Sequence, residues 1–262
     1  MLEISDEPVT ADGAPGGENV RVIKLARPPV NALNGELIAR IVAAIDVPPE
    51  TAAIIIAGQP GLFSAGLDVP SLLALDREGL AAAFVELWRA QRAIATSRVP
   101  IVFAITGHCP AGGTVLAING DYRVMAQGDF RLGLNEVQVG LFPGGVIHGV
   151  FKQLVGGHTA QLLTRGALID PATALRVGLV DELCDPDKVV ARALEVAGEL
   201  CALPREPMMR TRAMTRSDLM ALYGSAAEVA SREREFGEMG AQMWFAPATQ
   251  ELLKRQFAKK KR

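Results

Sequence analysis

The stretch 106–140, TGHCPAGGTVLAINGDYRVMAQGDFRLGLNEVQVG, combines a glycine loop, a short apolar segment and a carboxylate. Gly112 and Gly113 precede a helix-like segment at 114–119, and free N–H groups at a helix start can bind an anion or an oxyanion. Glu136 lies between apolar neighbours near the end of the stretch. If the fold brings Gly112 and Glu136 together, the first can polarise a carbonyl and the second can deprotonate the carbon beside it. The alternative is a helix start followed by an exposed glutamate.

Apolar runs of strand length surround this stretch and predict an α/β fold. Runs at 53–57 and 101–105 are continuously apolar, as in strands that are covered on both faces. Weaker strand patterns lie at 20–25 and 122–126, and helical spacing covers 35–45 and 78–96. The order strand, helix, strand favours a parallel sheet with helices packed on it. We expect residues 1–18 to form a loose arm or an early turn.

The C-terminal part of the chain has a different sequence pattern, which is mainly helical. Short helices are predicted at 146–155, 158–164 and 171–177, with a last strand at 179–183. From residue 186 the pattern is helical throughout, with helices at 188–200, 206–214, 219–236 and 248–259. We therefore divide the chain into a core at 1–185 and a helical region at 186–262. The large apolar side chains of that region, such as Trp244 and Phe257, are expected to pack within the same subunit or on another subunit.

The composition bounds the class of protein. The chain has 262 residues, 49% of them hydrophobic, and a net charge of −2. This allows a sizeable core and argues against a nucleic-acid partner. The basic residues at 259–262 are interpreted as a solvated terminus. The three cysteines are too few for a disulfide framework, and no Cys/His spacing predicts a metal site.

The start of the chain is acidic and lacks the apolar core of a signal peptide. No apolar run reaches the roughly 18 residues of a membrane span. We therefore expect a soluble, cytoplasmic protein with no membrane partner.

Two glycine-bearing loops follow the two apolar strands. The first contains FSAGLD at 63–68 and the second contains PAGG at 110–113. In parallel sheets, ligands bind beyond the carboxyl ends of the strands, where such loops meet. Each loop can supply one backbone N–H group to a single oxygen. Neither loop matches the phosphate-binding or the dinucleotide-binding fingerprint.

These motifs, taken in order, resemble the crotonase family of enoyl-CoA hydratases and isomerases. The resemblance runs from about residue 20 to the C-terminus. Its landmarks are PPVNAL at 28–33, FSAGLD at 63–68, the Gly112–Gly113 loop, DYR at 121–123, and GLNE at 133–136 leading to PGG at 143–145. Within that family, the sequences of these motifs are most similar to those of the mitochondrial-type Δ3,Δ2-enoyl-CoA isomerases.

The resemblance implies a spiral of ββα turns followed by a helical C-terminal region that mediates trimers, so the expected partner is a second copy in a homotrimer or a dimer of trimers. It implies an acyl-CoA thioester as substrate, with coenzyme A as part of the substrate and no separate cofactor. The implied oxyanion hole consists of the N–H groups of Ala65 and Gly112. The implied substrate-binding residues are Ala65, Gly66, Leu67, Asp68, Val69, Gly112 and Asn135.

One position separates the two activities of the family. Hydratases carry a glutamate three residues after the oxyanion-hole glycine, and here Val115 takes that place. The second family glutamate is kept as Glu136, which the resemblance makes the catalytic residue. A double-bond shift from C3–C4 to C2–C3 needs one acid/base, whereas hydration also needs an activated water. The sequence therefore favours an isomerase of fatty-acid β-oxidation in which Glu136 acts alone.

Other interpretations stay open at this point. The chain can be a hydratase, another acyl-CoA enzyme of the family, or a non-enzymatic acyl-CoA-binding protein. His108 and Cys109 can form a nucleophilic dyad, although adjacent side chains usually point apart. His148 can lie near the pocket or simply pack, and Trp244 can line an acyl or adenine pocket or belong to the core. Leu134, Val137, Leu141 and Phe142 are the expected apolar neighbours of Glu136.

Overall fold

The computed structural model describes residues 1–9 and 18–258, with side chains up to Arg255. Its larger sheet has six strands in the order β1-β2-β3-β5-β7-β9. The outer strand β1 is antiparallel to β2, and all other neighbours in this sheet are parallel. These strands are β1 Leu2–Pro8, β2 Asn19–Leu25, β3 Thr51–Ala57, β5 Ile101–Ile105, β7 Tyr122–Ala126 and β9 Glu182–Cys184.

A second, small parallel sheet has three strands, in the order β4-β6-β8. They are β4 Gly61–Leu62, β6 Gly107–Pro110 and β8 Leu132–Gly133. Each of them directly follows a strand of the larger sheet along the chain, so that β3, β5 and β7 are succeeded by β4, β6 and β8. Each of these three turns thus adds one strand to each sheet before a helical segment leads onward. This repeated ββα arrangement confirms the predicted α/β spiral.

Twelve α-helices lie within the described ranges. They are α1 Gly35–Ile45, α2 Val69–Leu72, α3 Arg77–Ala95, α4 Gly112–Ala117, α5 Gly144–Val155, α6 Thr159–Arg165, α7 Pro171–Val177, α8 Val189–Cys201, α9 Arg205–Thr215, α10 Ser217–Tyr223, α11 Val229–Trp244 and α12 Pro247–Ala258. Short 3-10 helices cover Glu136–Val139 and Gly156–His158. None of the helices that the structure describes is long and apolar enough to cross a membrane.

The continuous apolar runs are explained by burial on both faces of the larger sheet. Side chains alternate between the faces of a strand. Ile54 and Ile56 of β3 accordingly join the main core with α1 and α3, whereas Ile55 joins a second core. That second core is closed by α8, whose Ala193 and Ala197 are fully buried against the sheet. The predicted pattern of two covered faces is confirmed.

Two sequence predictions are wrong, and a third has shifted bounds. Within the predicted arm at 1–18, residues 2–8 form an edge strand that is paired to β2 through backbone bonds and ion pairs such as Asp6–Arg21 at 2.9 Å, and residues 10–17 lie outside the described part of the chain. Its side chains are mostly exposed, and it lacks the continuous apolar run of the inner strands. The helix predicted at 219–236 is divided into α10 and α11, because Gly224 adopts a φ of +80° that ends α10. The predicted strand at 179–183 is shifted to Glu182–Cys184.

The C-terminal helices are anchored on the core by charge and by close backbone contact. Arg212 and Arg216 both bind the Asp121 carboxylate, at 2.7 and 2.9 Å. Helix α11 packs on α3 through Gly237 and Gly240, where an added Cβ would lie 2.7 Å from the Ala81 carbonyl oxygen and 2.6 Å from the ring of Phe84. The predicted packing of Trp244 in a core is confirmed by its exposure of 1%. The basic residues 259–262 and the Phe257 side chain lie outside the described part of the chain.

Candidate active site

The two glycine loops meet where β4 and β6 end. The N–H groups of Leu67 and Gly112 have no hydrogen-bond acceptor among the described residues. A Cβ added to Gly112 would lie 3.2 Å from the Leu67 nitrogen, and one added to Gly66 would lie 3.2 Å from the Gly112 nitrogen. Glycine at both positions therefore lets the two backbones approach each other closely. Gly66 has a φ of +86°, a conformation that glycine adopts without a steric cost.

The predicted donor Ala65 requires a correction. Its N–H group donates to the Val30 carbonyl at 3.0 Å and is not free for a ligand. The N–H group of Leu67 is free instead, because Leu67 forms a parallel bridge with Leu33. The Leu33 N–H donates to the Gly66 carbonyl at 2.8 Å, and the Asp68 N–H donates to the Leu33 carbonyl at 2.9 Å. Leu67 lies between these bonds, so its own N–H points away from Leu33.

Asp68 secures the same loop through its side chain. The Arg27 guanidinium donates to the Asp68 carboxylate at 2.6 Å and to the Ala32 carbonyl at 2.9 Å. The Ser71 N–H donates to the other carboxylate oxygen at 3.3 Å, which caps α2. Burial by itself would raise the pKa of Asp68, but the bonds from Ser71 and Arg27 outweigh it and hold the pKa below its usual value. The carboxylate therefore serves the loop, and the exposed Ala65 is the part of the loop that faces solvent.

Glu136 is brought to the second loop by the small sheet. Pro110 pairs with Gly133, and the Ala111 N–H donates to the Gly133 carbonyl at 2.8 Å. Gly112 follows Ala111 directly and Glu136 follows Gly133 by three residues, so both leave one pair of adjacent strand ends. Glu136 is the first residue of the short 3-10 helix Glu136–Val139. The segments that carry Gly112 and Glu136 therefore begin at adjacent strand ends of the small sheet.

The Glu136 carboxyl group is poorly solvated. Its Oε2 atom is fully buried and has no hydrogen-bond partner among the described residues. Burial raises the pKa of Glu136 to about 7, against the smaller opposing effect of a hydrogen bond from its own backbone. A carboxyl group with such a pKa exchanges a proton readily near neutral pH. Of the four expected apolar neighbours, Leu134 is buried, whereas Val137 and Phe142 are 38% and 49% exposed.

The other position expected to distinguish the chemistry is apolar. Val115 lies in α4, is 2% exposed and packs in the main core. Asn135, predicted to orient Glu136 or bind substrate, makes no side-chain hydrogen bond to the described part of the chain. A small apolar crevice lies beside Leu67 and is lined by Leu33, Gly35, Ile38, Leu67, Leu72, Ala83 and Phe84.

The alternative nucleophile and base are not supported. Cys109 is completely buried, and burial raises the pKa of its thiol far above the usual range. The Nδ1 atom of His108 accepts a hydrogen bond from the Arg131 N–H at 3.1 Å, and its ring packs against Phe130. His148 lies on the exposed side of α5, so it is not a packing residue of the core. No group of metal-ligating side chains occurs within the described ranges.

Comparisons with known proteins agree with this geometry. Residues 16–242 match the family model described as enoyl-CoA hydratase/isomerase. The human mitochondrial enoyl-CoA delta isomerase 1 is 32% identical over 209 residues, which are 76% of this chain and 68% of the human protein. The probable enoyl-CoA hydratase echA17 of Mycolicibacterium paratuberculosis is 31% identical over 236 residues, which are 88% of this chain and 90% of that protein.

A solved structure shows the same fold over nearly the whole chain. The crystal structure of human mitochondrial Δ3-Δ2-enoyl-CoA isomerase superposes with a TM-score of 0.86 and 26% identity, covering 98% of both chains.

Proposed function

Because the chain belongs to the enoyl-CoA hydratase/isomerase family, we propose that it is a Δ3,Δ2-enoyl-CoA isomerase acting in fatty-acid oxidation. The proposal rests on two observations taken together: Glu136 is a poorly solvated carboxyl group, and the side chain at position 115 is apolar. One group with a pKa near 7 can both accept and return a proton. Val115 cannot hold or activate a second reactant such as water.

The two free N–H groups supply the complementary part of the reaction. In this proposal the thioester oxygen of the substrate accepts hydrogen bonds from Leu67 and Gly112. The Glu136 carboxylate removes a proton from C2 of a 3-enoyl thioester, and the electron pair is delocalised onto the thioester oxygen as a dienolate. The protonated Glu136 then delivers that proton to C4, which leaves the double bond between C2 and C3. Each N–H donor contributes roughly 3 kcal/mol to lowering the barrier.

Neighbouring features support the binding of the rest of the substrate. The loop at 65–69 and Asn135 are proposed to contact the coenzyme A moiety and the thioester. The Arg27–Asp68 pair keeps that loop in place. Coenzyme A is in this proposal part of the substrate, with no further cofactor. We also propose a homotrimer, or a dimer of trimers, as the assembled form.

The alternative proposal is an enoyl-CoA hydratase, which the similarity to probable mycobacterial hydratases favours. Two assays of the purified protein separate the two activities. With a 3-enoyl-CoA, the isomerase proposal predicts that conjugated thioester absorbance appears without a change in mass. With a 2-enoyl-CoA, it predicts little gain of water by mass. Rapid hydration of the 2-enoyl substrate would refute the single-carboxylate mechanism, and tight binding without either reaction would refute both.

A further inference from the structure

The last helix touches the turn that carries Glu136. Thr249, in the first turn of α12, is 2% exposed, and its hydroxyl donates to the Gly140 carbonyl at 2.9 Å. Gly140 ends the 3-10 helix that begins at Glu136, with a φ of +79°. Thr249 lies more than a hundred residues from Glu136 in the chain, so no local sequence pattern connects the two.

The turn between these two residues is closed on itself. The Leu141 N–H donates to the Glu136 carbonyl at 3.0 Å, and the Gly140 N–H donates to the Val137 carbonyl at 3.3 Å. A Cβ added to Gly140 would lie 2.7 Å from the Thr249 Oγ1 atom and 3.0 Å from its Cα atom. The turn therefore rests directly on the backbone of α12. A shift of Gly140 displaces Glu136 through the two hydrogen bonds that close the turn, Leu141 to Glu136 and Gly140 to Val137.

One helical turn further on, α12 reaches the other half of the site. Leu253 is completely buried in a cluster with Leu72, Leu80, Ala241 and Trp244, against which Leu67 and Leu141 also pack. Residues four apart lie on the same face of a helix. One face of α12 thus contacts the turn that carries Glu136 and contributes Leu253 to the cluster on which Leu67 packs.

We propose that Thr249 is a positioning residue, which holds the Glu136 carboxyl group at a fixed distance from the substrate carbon bound beside Leu67 and Gly112. This inference rests on the function proposed above. Without the hydroxyl, the carbonyl of the half-buried Gly140 loses its donor, and a desolvated carbonyl without a partner is costly. The turn then shifts toward another donor or toward water, and Glu136 moves with it.

The test is Thr249→Val, which keeps the shape of the side chain and removes the donor. We expect kcat with a 3-enoyl-CoA to fall about 10- to 100-fold, as misplacement of a catalytic group by about 1 Å does. KM is expected to stay within about twofold, since the N–H pair is untouched. The acid limb of the pH–rate profile is expected to move to lower pH, because a loosened Glu136 is better solvated. Thr249→Ser keeps a hydroxyl and is expected to restore kcat.

A matched control separates positioning from general stability. Thr159 is also buried, at 6% exposure, and its hydroxyl donates to the Gly156 carbonyl at 2.7 Å. It lies at the opposite end of α6 from the residue that contacts the Glu136 turn, Gly166. Thr159→Val is expected to reduce stability to a similar degree and to leave kcat and the pH profile unchanged. If Thr249→Val does not fold, Thr249→Ala is measured in its place.

The outcomes are distinct. Wild-type kcat in Thr249→Val or Thr249→Ala, or an equal loss of kcat in Thr159→Val, would overturn the proposal. The wild type and Glu136→Gln are assayed first, because an inactive wild type refutes the proposed function by itself. In that case the hydrogen exchange of the Leu141 amide still tests the contact. Faster exchange in Thr249→Val than in Thr159→Val supports the hold on the turn, and equal exchange overturns it.

Discussion

Replacing Glu136 by glutamine should abolish turnover and make the protein more stable above neutral pH. The amide cannot take the proton from C2, so we expect isomerase activity to be lost while acyl-CoA binding remains. The same substitution removes a charge that the fold desolvates. A native carboxyl group with a pKa of about 7 keeps its proton between pH 4.5 and 7, whereas the unfolded chain releases it. The wild type therefore loses stability as the pH rises through this interval.

The size of the effect follows from the displacement of the pKa. Burial moves the pKa of Glu136 from an ordinary value of 4.5 to about 7. Each pKa unit corresponds to about 1.4 kcal/mol, so the free energy of unfolding of the wild type is expected to fall by roughly 3 kcal/mol relative to the glutamine variant. The difference grows from pH 4.5, levels off above pH 7 and is absent in acid. Burying the glutamine amide has a free-energy cost that does not depend on pH. This cost shifts the difference in free energy of unfolding equally at every pH and leaves the shape of its pH dependence unchanged.

The assay is urea unfolding of both proteins from pH 2 to 9 at one fixed protein concentration, since the stability of the proposed oligomer would depend on concentration. Glu228→Gln provides a control of opposite sign. Bonds from the Ser225 backbone and hydroxyl, and then from Arg232, lower the pKa of Glu228 to about 2. That variant is expected to be less stable than the wild type at pH 7, and the difference is expected to vanish as the pH falls from 4.5 toward 2.

Parallel stability curves for the wild type and Glu136→Gln would refute the reasoning, because they would mean that the carboxyl group ionises equally in the native and unfolded protein. Substantial isomerase activity in Glu136→Gln would show that another group acts as the base.

The remaining predictions concern the same site. The value of kcat/KM should rise with pH, with an apparent pKa near 7, because the deprotonated form of Glu136 is the base; a flat profile from pH 5 to 8 would exclude it. Gly112→Ala places a Cβ 3.1 Å from Leu33 Cδ1 and 3.2 Å from the Leu67 nitrogen, and should lower kcat about 100- to 1,000-fold in a steady-state assay. Arg27→Met breaks the 2.6 Å pair with Asp68 and should raise KM for the acyl-CoA, whereas Arg40→Met, in an exposed pair with Glu36, should not. Cys109→Ser should keep turnover, and a thiol reagent should leave Cys109 of the folded protein unmodified by peptide mass analysis, because the thiol is buried.

Much of the core could be predicted because its signals are local. Strands β5 and β7 and helix α1 begin and end where their apolar patterns do, and the Asn34 side chain caps α1 by accepting from the Leu37 N–H at 2.9 Å. The edge strand β1 gave no such signal, because it is held by backbone pairing and surface charge. The small sheet also has no recognisable sequence pattern, since two of its strands are only two residues long.

The sequence by itself determined the chemical inventory of this protein: two glycine loops, one carboxylate in an apolar stretch, and a valine at position 115. Composition and spacing suffice for that, since they specify which groups are available. Only the tertiary structure decided that Leu67 rather than Ala65 has the free N–H group, and that Thr249 contacts the turn of Glu136. The direction of an N–H depends on which strand its neighbours pair with, and the solvation of a carboxyl group depends on side chains from distant segments. Both are properties of contacts between parts of the chain that no local pattern encodes.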